Sequence, residues 1–315
     1  MCTTCGCSET ASVTITDAAT GEQRALRQVE HANAHLYRPV RAHAHAHAPG
    51  DGGHDHPHPH DDAQPHTHLR EHAHSHDHEH GGAVALHAHV HRTTVALEHE
   101  ILAKNQLLAE RNRGWMDGRG ILALNLVSSP GSGKTTLLER TIRDLKDALP
   151  IQVIEGDQAT TNDAERIRAT GCKAIQINTG TGCHLDADML ARGLEQLQPP
   201  VGTVVMIENV GNLVCPALFD LGERAKVVIL SVTEGEDKPI KYPHMFKASK
   251  VMLLNKIDLL PHLKFDAERC IAYAKEVNPD IRVFCVSAFT GEGMAAWYGW
   301  LRAEQVNAQT AELAS

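Results

Sequence analysis

Aromatic residues make up only 4% of this 315-residue chain, and positive charge is in deficit, with a formal net charge of −9. There is no basic stripe interleaved with aromatics, which excludes nucleic acid as an expected partner. No apolar run approaches the ~18 residues that a membrane-spanning helix needs, so no membrane association is expected either. The opening Met-Cys-Thr-Thr-Cys-Gly-Cys has neither the basic nor the apolar stretch of a secretory signal, and the expected compartment is the cytoplasm. In that reducing setting eight cysteines, three of them within residues 2–7, point to metal ligands rather than disulfides.

Histidine is what the chain has in excess. Of 23 histidines, 20 lie between His31 and His99 and 17 fall in positions 43–91, interleaved with Ala, Asp, Pro and Gly. Such a segment cannot bury enough apolar surface to offset its ordering entropy. The expected organisation is therefore a Cys motif over residues 1–8, a disordered His-rich metal-binding region over 9–92, and a globular domain over 93–315.

The globular part alternates two periods. A helical pattern from Thr93 to Arg113 places Leu97, Ile101 and Leu108 on one stripe, and another places Leu138, Ile142, Leu145 and Leu149 at i, i+4, i+7 and i+11 before Pro150. Between such stretches lie short apolar runs at 121–127, 151–154, 174–177, 204–207, 227–232, 251–254 and 281–286, unalternated as in strands covered on both faces. The fold class read from this is α/β: a P-loop NTPase with a mostly parallel sheet flanked by helices. Ligands of such sheets bind beyond the carboxyl ends of the strands.

The first run leads into Ser128-Ser129-Pro130-Gly131-Ser132-Gly133-Lys134-Thr135 and then a helix, the strand–loop–helix context of a phosphate-binding loop. Small residues let the backbone N–H groups of Gly131, Ser132 and Gly133 turn inward, and the helix start at Thr135 and Thr136 adds partial positive charge. Lys134 is expected on the β- and γ-phosphates and the Thr135 hydroxyl on Mg²⁺. Ser128 replaces the first glycine of the consensus.

The base is read later in the chain. Asn255-Lys256-Ile257-Asp258 follows a strand and resembles the guanine-specificity motif of GTPases, and Ser287-Ala288 matches the accessory base-contacting motif. A carboxylate at Asp258 accepts from the ring N–H and exocyclic amine of guanine, whereas adenine would leave it unpaired, a discrimination on the order of 10⁴. Candidate Mg²⁺ carboxylates at strand ends are Asp157 and Glu208, and Gly211 follows as a switch glycine that could donate to the γ-phosphate. Asp157 is also the first candidate to orient the attacking water.

Three groups could take a transition metal. Cys2, Cys5 and Cys7 offer three thiolates which, with one nitrogen, suit square-planar Ni²⁺ or tetrahedral Zn²⁺. The His tract supplies many weak, interchangeable imidazole sites and reads as a reservoir. Cys183-His184 and Cys215 lie on loops expected on the phosphate side of the sheet, where a bound metal would sense the switch segment. Those three ligands leave a site incomplete, and a symmetric dimer would supply the rest. Cys172, Cys270 and Cys285 read as small buried hydrophobes.

Glu155-Gly156-Asp157, Thr181-Gly182-Cys183-His184-Leu185 and Glu208-Asn209-Val210-Gly211-Asn212-Leu213-Val214-Cys215-Pro216, with Cys2-x-x-Cys5-x-Cys7, resemble segments of the HypB family of hydrogenase maturation factors, the nickel-incorporation GTPases. The resemblance implies a slow, regulatory GTPase of the dimerising metallochaperone and signal-recognition class. It also implies a metal site of Cys183, His184 and Cys215 at the dimer interface. Nickel would go to the large subunit of a [NiFe]-hydrogenase, helped by a HypA-type metallochaperone and in some cases a metal-binding prolyl isomerase. Two alternatives stay open: a nickel storage protein with incidental hydrolysis, and a urease-type nickel GTPase.

Overall fold

The computed structural model describes residues 13–17, 20–25, 82–157, 162–180 and 182–312. Its centre is a nine-stranded sheet of β1 (Thr14–Asp17), β2 (Gln23–Ala25), β3 (Leu122–Ser128), β4 (Ile151–Asp157), β5 (Ala174–Asn178), β6 (Val204–Glu208), β7 (Ala225–Ser231), β8 (Ser249–Asn255) and β9 (Arg282–Cys285), in the order β2-β1-β5-β4-β6-β3-β7-β8-β9. From β5 to β9 every pairing is parallel, and β1 and β2 close one edge antiparallel.

Burial on both faces explains the unalternated runs. Along β3, Leu122, Leu124 and Leu126 join a core with Leu138, Ile142 and Leu145 of helix α2 (Lys134–Leu145) and Trp297 and Leu301 of the last helix, Met294–Glu312. The intervening Ala123 faces the opposite core, with Ile154, Ile175 and Ile177 and with Leu190, Leu194 and Leu197 of the helix Ala187–Leu197. Leu149 lies past the end of α2 but is buried, as its place on the stripe predicts.

Three expectations need correction. Two strands fall inside the region 9–92 expected to be disordered, and they belong to the same compact unit as the sheet. Val13 to Asp17 is a short β-branched run whose Ile15 is buried opposite Ile177, so a tertiary edge gives the segment the burial its local composition lacks. Helix α1 begins at Gly82 rather than Thr93 and runs to Asp117. Its packed face is Asn105, Ala109, Asn112 and Met116, whereas Ile101 is exposed. The stripe was displaced because two asparagines do the anchoring. Asn105 Nδ2 donates to the Asp220 carbonyl at 2.7 Å, and Asn112 Nδ2 donates to the carbonyls of Ala187 and Leu221 at 2.8 and 3.1 Å. Cys285, expected to be buried, is exposed at the end of edge strand β9.

Candidate functional site

The strand ends of β3, β4 and β6 surround a cavity of about 590 Å³ lined by residues 128–136 and by Glu155, Gly156, Asp157, Asp163, Arg166, Glu208, Val210, Gly211 and Lys256. Gly133, immediately before α2, has φ +89°, and a Cβ there would come within 2.7 Å of Asn255 Nδ2. Glycine is thus required both for the turn and for the approach of Asn255.

Glu208, the last residue of β6, organises the cavity floor. Its Oε1 accepts from Lys134 Nζ at 2.9 Å and from the Thr135 hydroxyl at 2.7 Å. Its Oε2 is buried with no partner among the described residues, as are Glu155 Oε2 and Ser132 Oγ. Carboxylate oxygens left open beside a lysine and a threonine hydroxyl are the donor set a hydrated Mg²⁺ and a polyphosphate would engage. Thr135, Asp157 and Glu208 all line this cavity and fit that ion.

A second cavity, about 150 Å³, adjoins the first and is lined by Gly133, Thr136, Asn255, Lys256, Asp258, Leu259, Ala288 and Phe289. Its polar groups are already tied together. Ser287 Oγ donates to Asp258 Oδ1 at 2.5 Å, and the Ala288 N–H donates to Asn255 Oδ1 at 3.1 Å. Asn255 Nδ2 donates to the Ser132 carbonyl at 3.0 Å, and Lys256 Nζ to the Gly131 carbonyl at 2.7 Å. Asn255 and Lys256 therefore fasten the Asn255–Asp258 loop to the phosphate loop, while Asp258 is the carboxylate facing the pocket.

The fold brings the candidate ligands Cys183, His184 and Cys215 together. The donor atoms of Cys183, His184 and Cys215 all lie within 4.8 Å of one another, and the two Sγ atoms are 2.9 Å apart. His184 is 9% exposed and packs on Phe219 with ring centroids 4.0 Å apart. Burial pushes its pKa down to about 4, which keeps the imidazole neutral and able to ligate. By contrast, burial raises Cys172 and Cys270 to about 12, so both stay thiols. Beside the trio Val214, the N-cap of the short helix Cys215–Leu218, and Leu218, its last residue, are exposed. Cys2, Cys5, Cys7 and the His tract lie outside the described residues.

The model of the CobW/HypB/UreG nucleotide-binding domain matches residues 122–285, more than half of the chain. Over 214 residues the chain is 61% identical to the hydrogenase maturation factor HypB of Escherichia coli K12, covering 68% of this chain and 74% of that protein. This chain belongs to the HypB family. The crystal structure of HypB from Archaeoglobus fulgidus matches with a TM-score of 0.61 and 40% identity, covering 64% of this chain and 99% of that one. HypB from Helicobacter pylori in complex with nickel matches with a TM-score of 0.61 and 35% identity, covering 65% and 96%.

Sequence reasoning about this HypB-family chain missed three ionisable side chains of the cavity: Glu155, Asp163 and Arg166. Glu155 pairs in register with Glu208 across β4 and β6 and is 2% exposed. Burial first, then the charges of Glu208, Asp157 and Asp163, raise its pKa to about 9, so it is protonated at neutral pH. Arg166 Nη2 reaches Glu139 at 2.7 Å and Thr136 Oγ1 at 3.0 Å at the cavity wall. The signal for Glu155 was its place two residues before Asp157 in a strand, which aims both side chains to one side. Among the described residues no helix is long and apolar enough to cross a membrane.

Proposed function

We propose that this chain is a GTP-hydrolysing, cytoplasmic nickel metallochaperone that couples its nucleotide state to delivery of nickel into the large subunit of a [NiFe]-hydrogenase. One observation carries the reading. The Cys183-His184 loop follows β5 and the Cys215 segment follows β6, and Glu208, Val210 and Gly211, which open that same segment, line the phosphate cavity. Nucleotide and metal thus share one stretch of chain.

In this reading Gly131, Ser132, Gly133, Lys134, Thr135 and Thr136 hold the phosphates, with Lys134 neutralising the charge that develops on the transferred group. Asp258, Ser287 and Ala288 select guanine, with Asn255 and Lys256 bracing the loop. Thr135, Asp157 and Glu208 hold Mg²⁺, which supplies charge neutralisation at the phosphates. Asp157 orients the attacking water, and Gly211 follows the γ-phosphate as a switch. Hydrolysis is slow and regulatory.

Nickel is the cargo, with Zn²⁺ able to occupy the same thiolate–imidazole set. A four-coordinate ion needs more than three ligands, so a second copy of the chain completes the Cys183, His184 and Cys215 site. Exposed Val214 and Leu218 would be covered in that homodimer. Cys2, Cys5 and Cys7 form the tight entry site, the His tract of residues 31–91 a reservoir, and a HypA-type metallochaperone and, in some settings, a metal-binding prolyl isomerase assist the transfer.

The test is a nickel titration of the full-length chain carrying Cys2→Ala, Cys5→Ala and Cys7→Ala, in GDP and in a non-hydrolysable GTP analogue. Thiolate-to-nickel charge-transfer absorption then reports Cys183 and Cys215 rather than the histidines, and light scattering follows the mass. Expected are a band lost on Cys215→Ser, a different midpoint in the two nucleotide states, and dimer mass in the GTP-analogue state. Equal midpoints and a monomer in both states would remove the coupling.

A further inference from the structure

Between the two sites lies a side chain that belongs to neither. Asn209 follows Glu208 at the end of β6, is 1% exposed, and lines neither cavity. Its Oδ1 accepts two backbone N–H groups: Val210 at 2.9 Å, which lines the phosphate cavity, and Leu185 at 3.1 Å, the residue after His184. One carbonyl oxygen thus holds the first residue of the switch segment and the metal-bearing loop together.

The orientation of that amide is fixed from behind. Asn209 Nδ2 donates to Asn125 Oδ1 at 3.2 Å, and Asn125 Nδ2 donates to Glu223 Oε1 at 3.1 Å. Glu223 Oε1 already accepts from the Lys226 ammonium, so it meets Asn125 as an acceptor, and Asn125 turns its nitrogen to Glu223 and its oxygen to Asn209. Glu223 is itself held by Lys226 Nζ at 2.8 Å and by the Leu221 N–H at 2.7 Å. A flipped Asn209 would face two N–H groups with a third donor and lose its bond to Asn125, leaving buried polar groups unpaired.

Two further contacts tie the same segments. Asn212 Nδ2 donates to the Cys183 carbonyl at 3.4 Å. The Leu185 side chain sits against Gly156, where an added Cβ would lie 2.6 Å from Leu185 Cγ, so no other residue at 156 admits this packing. Leu185 is therefore gripped through its N–H from β6 and through its side chain from β4, both strands of the nucleotide cavity.

We infer that Asn209 is the positioning residue that transmits the state of the Val210–Gly211 segment to the Cys183–His184 loop. Resting on the nucleotide-coupled reading above, the inference adds the identity of the link. When Val210 moves with the γ-phosphate, the shared acceptor obliges Leu185, and with it the neighbouring ligands, to move or to lose a buried hydrogen bond.

The test uses the same full-length chain lacking the N-terminal thiols, with nickel added as the free ion and the thiolate band as readout. Asn209→Ala is expected to bind GDP and nickel but to bring the ratio of nickel midpoints between GDP and GTP-analogue states to within about twofold of one. A purely structural role would lower the melting temperature and leave that ratio at its wild-type value, and this result would overturn the inference alone. A wild-type ratio of one would take down the coupled reading as well. If Asn209→Ala does not fold, hydrogen exchange on the unsubstituted chain decides. The Leu185 and Val210 amides should change protection together on nucleotide exchange, and a response at Val210 without one at Leu185 overturns the link.

Discussion

The pocket proposed to read guanine and the proposed metal trio sit at strand ends of the same sheet, yet they are built in opposite ways. Around the first, Asp258, Ser287, Asn255, Ala288 and Lys256 are bonded to one another and to the phosphate loop, so the proposed recognition groups stand in place within one chain. In the second, two thiols lie 2.9 Å apart beside one buried imidazole, with exposed apolar side chains alongside. The first arrangement is complete and preorganised, which suits constant specificity. The second is short of a coordination shell, which suits a site that loads and unloads as its surroundings change.

The sharpest way to break this contrast is at Asp258. Replacing the carboxylate by an amide with Asp258→Asn removes the acceptor for guanine's two donors and offers a donor instead. GDP affinity should fall by about 10²–10⁴, with xanthosine diphosphate now preferred, in competition against a fluorescent nucleotide. Nickel binding in the absence of nucleotide should keep its stoichiometry, because the trio follows β5 and β6 whereas this loop follows β8, separated from β6 in the sheet by β3 and β7. A parallel loss of nickel would show that the two regions are one structural unit.

A smaller effect is expected at Lys134. Lys134→Ala removes the cation bonded to Glu208 Oε1, and single-turnover GTP hydrolysis should slow by about 10²–10³. Guanine should still be preferred over adenine, since the base loop is held by Asn255 and Lys256 rather than by Lys134. A variant hydrolysing at the wild-type rate would remove Lys134 from the chemistry.

How much of this was legible in the sequence depends on the range of the interactions. The phosphate loop, the Asn255–Asp258 motif and the Cys183-His184 pair are contiguous, so residue order alone carried them. Cys215 came from the strand rule, since loops after parallel strands emerge at one end of the sheet. Glu155 was overlooked because its partnership with Glu208 is a matter of register between β4 and β6, and register is set by tertiary packing. Strand β1 went unseen for the same reason: Ile15 gains burial only from Ile177. The anchoring face of α1 was misread because hydrophobic periodicity cannot find a stripe made by Asn105 and Asn112.

Glu155 also supplies the finest test, because burial and the neighbouring acids set its charge state. Its carboxyl in the folded chain titrates at about 9, above the 4.5 of an unhindered glutamate, through burial and the neighbouring acids. The stability this contributes is therefore fully present below pH 4.5 and is lost as pH rises through about 9. Glu155→Gln is neutral throughout and nearly the same shape as the protonated acid. Between pH 5 and 9 the melting temperature of the unsubstituted chain should fall more steeply than that of the variant, by a few degrees over the range. Adding Mg²⁺ with GDP should narrow the gap, since a cation among Glu155, Asp157 and Glu208 offsets the repulsion that helps hold the proton. Parallel curves would mean that Glu155 is ionised in the fold, and that the nucleotide region is less settled than the bonded base pocket suggests.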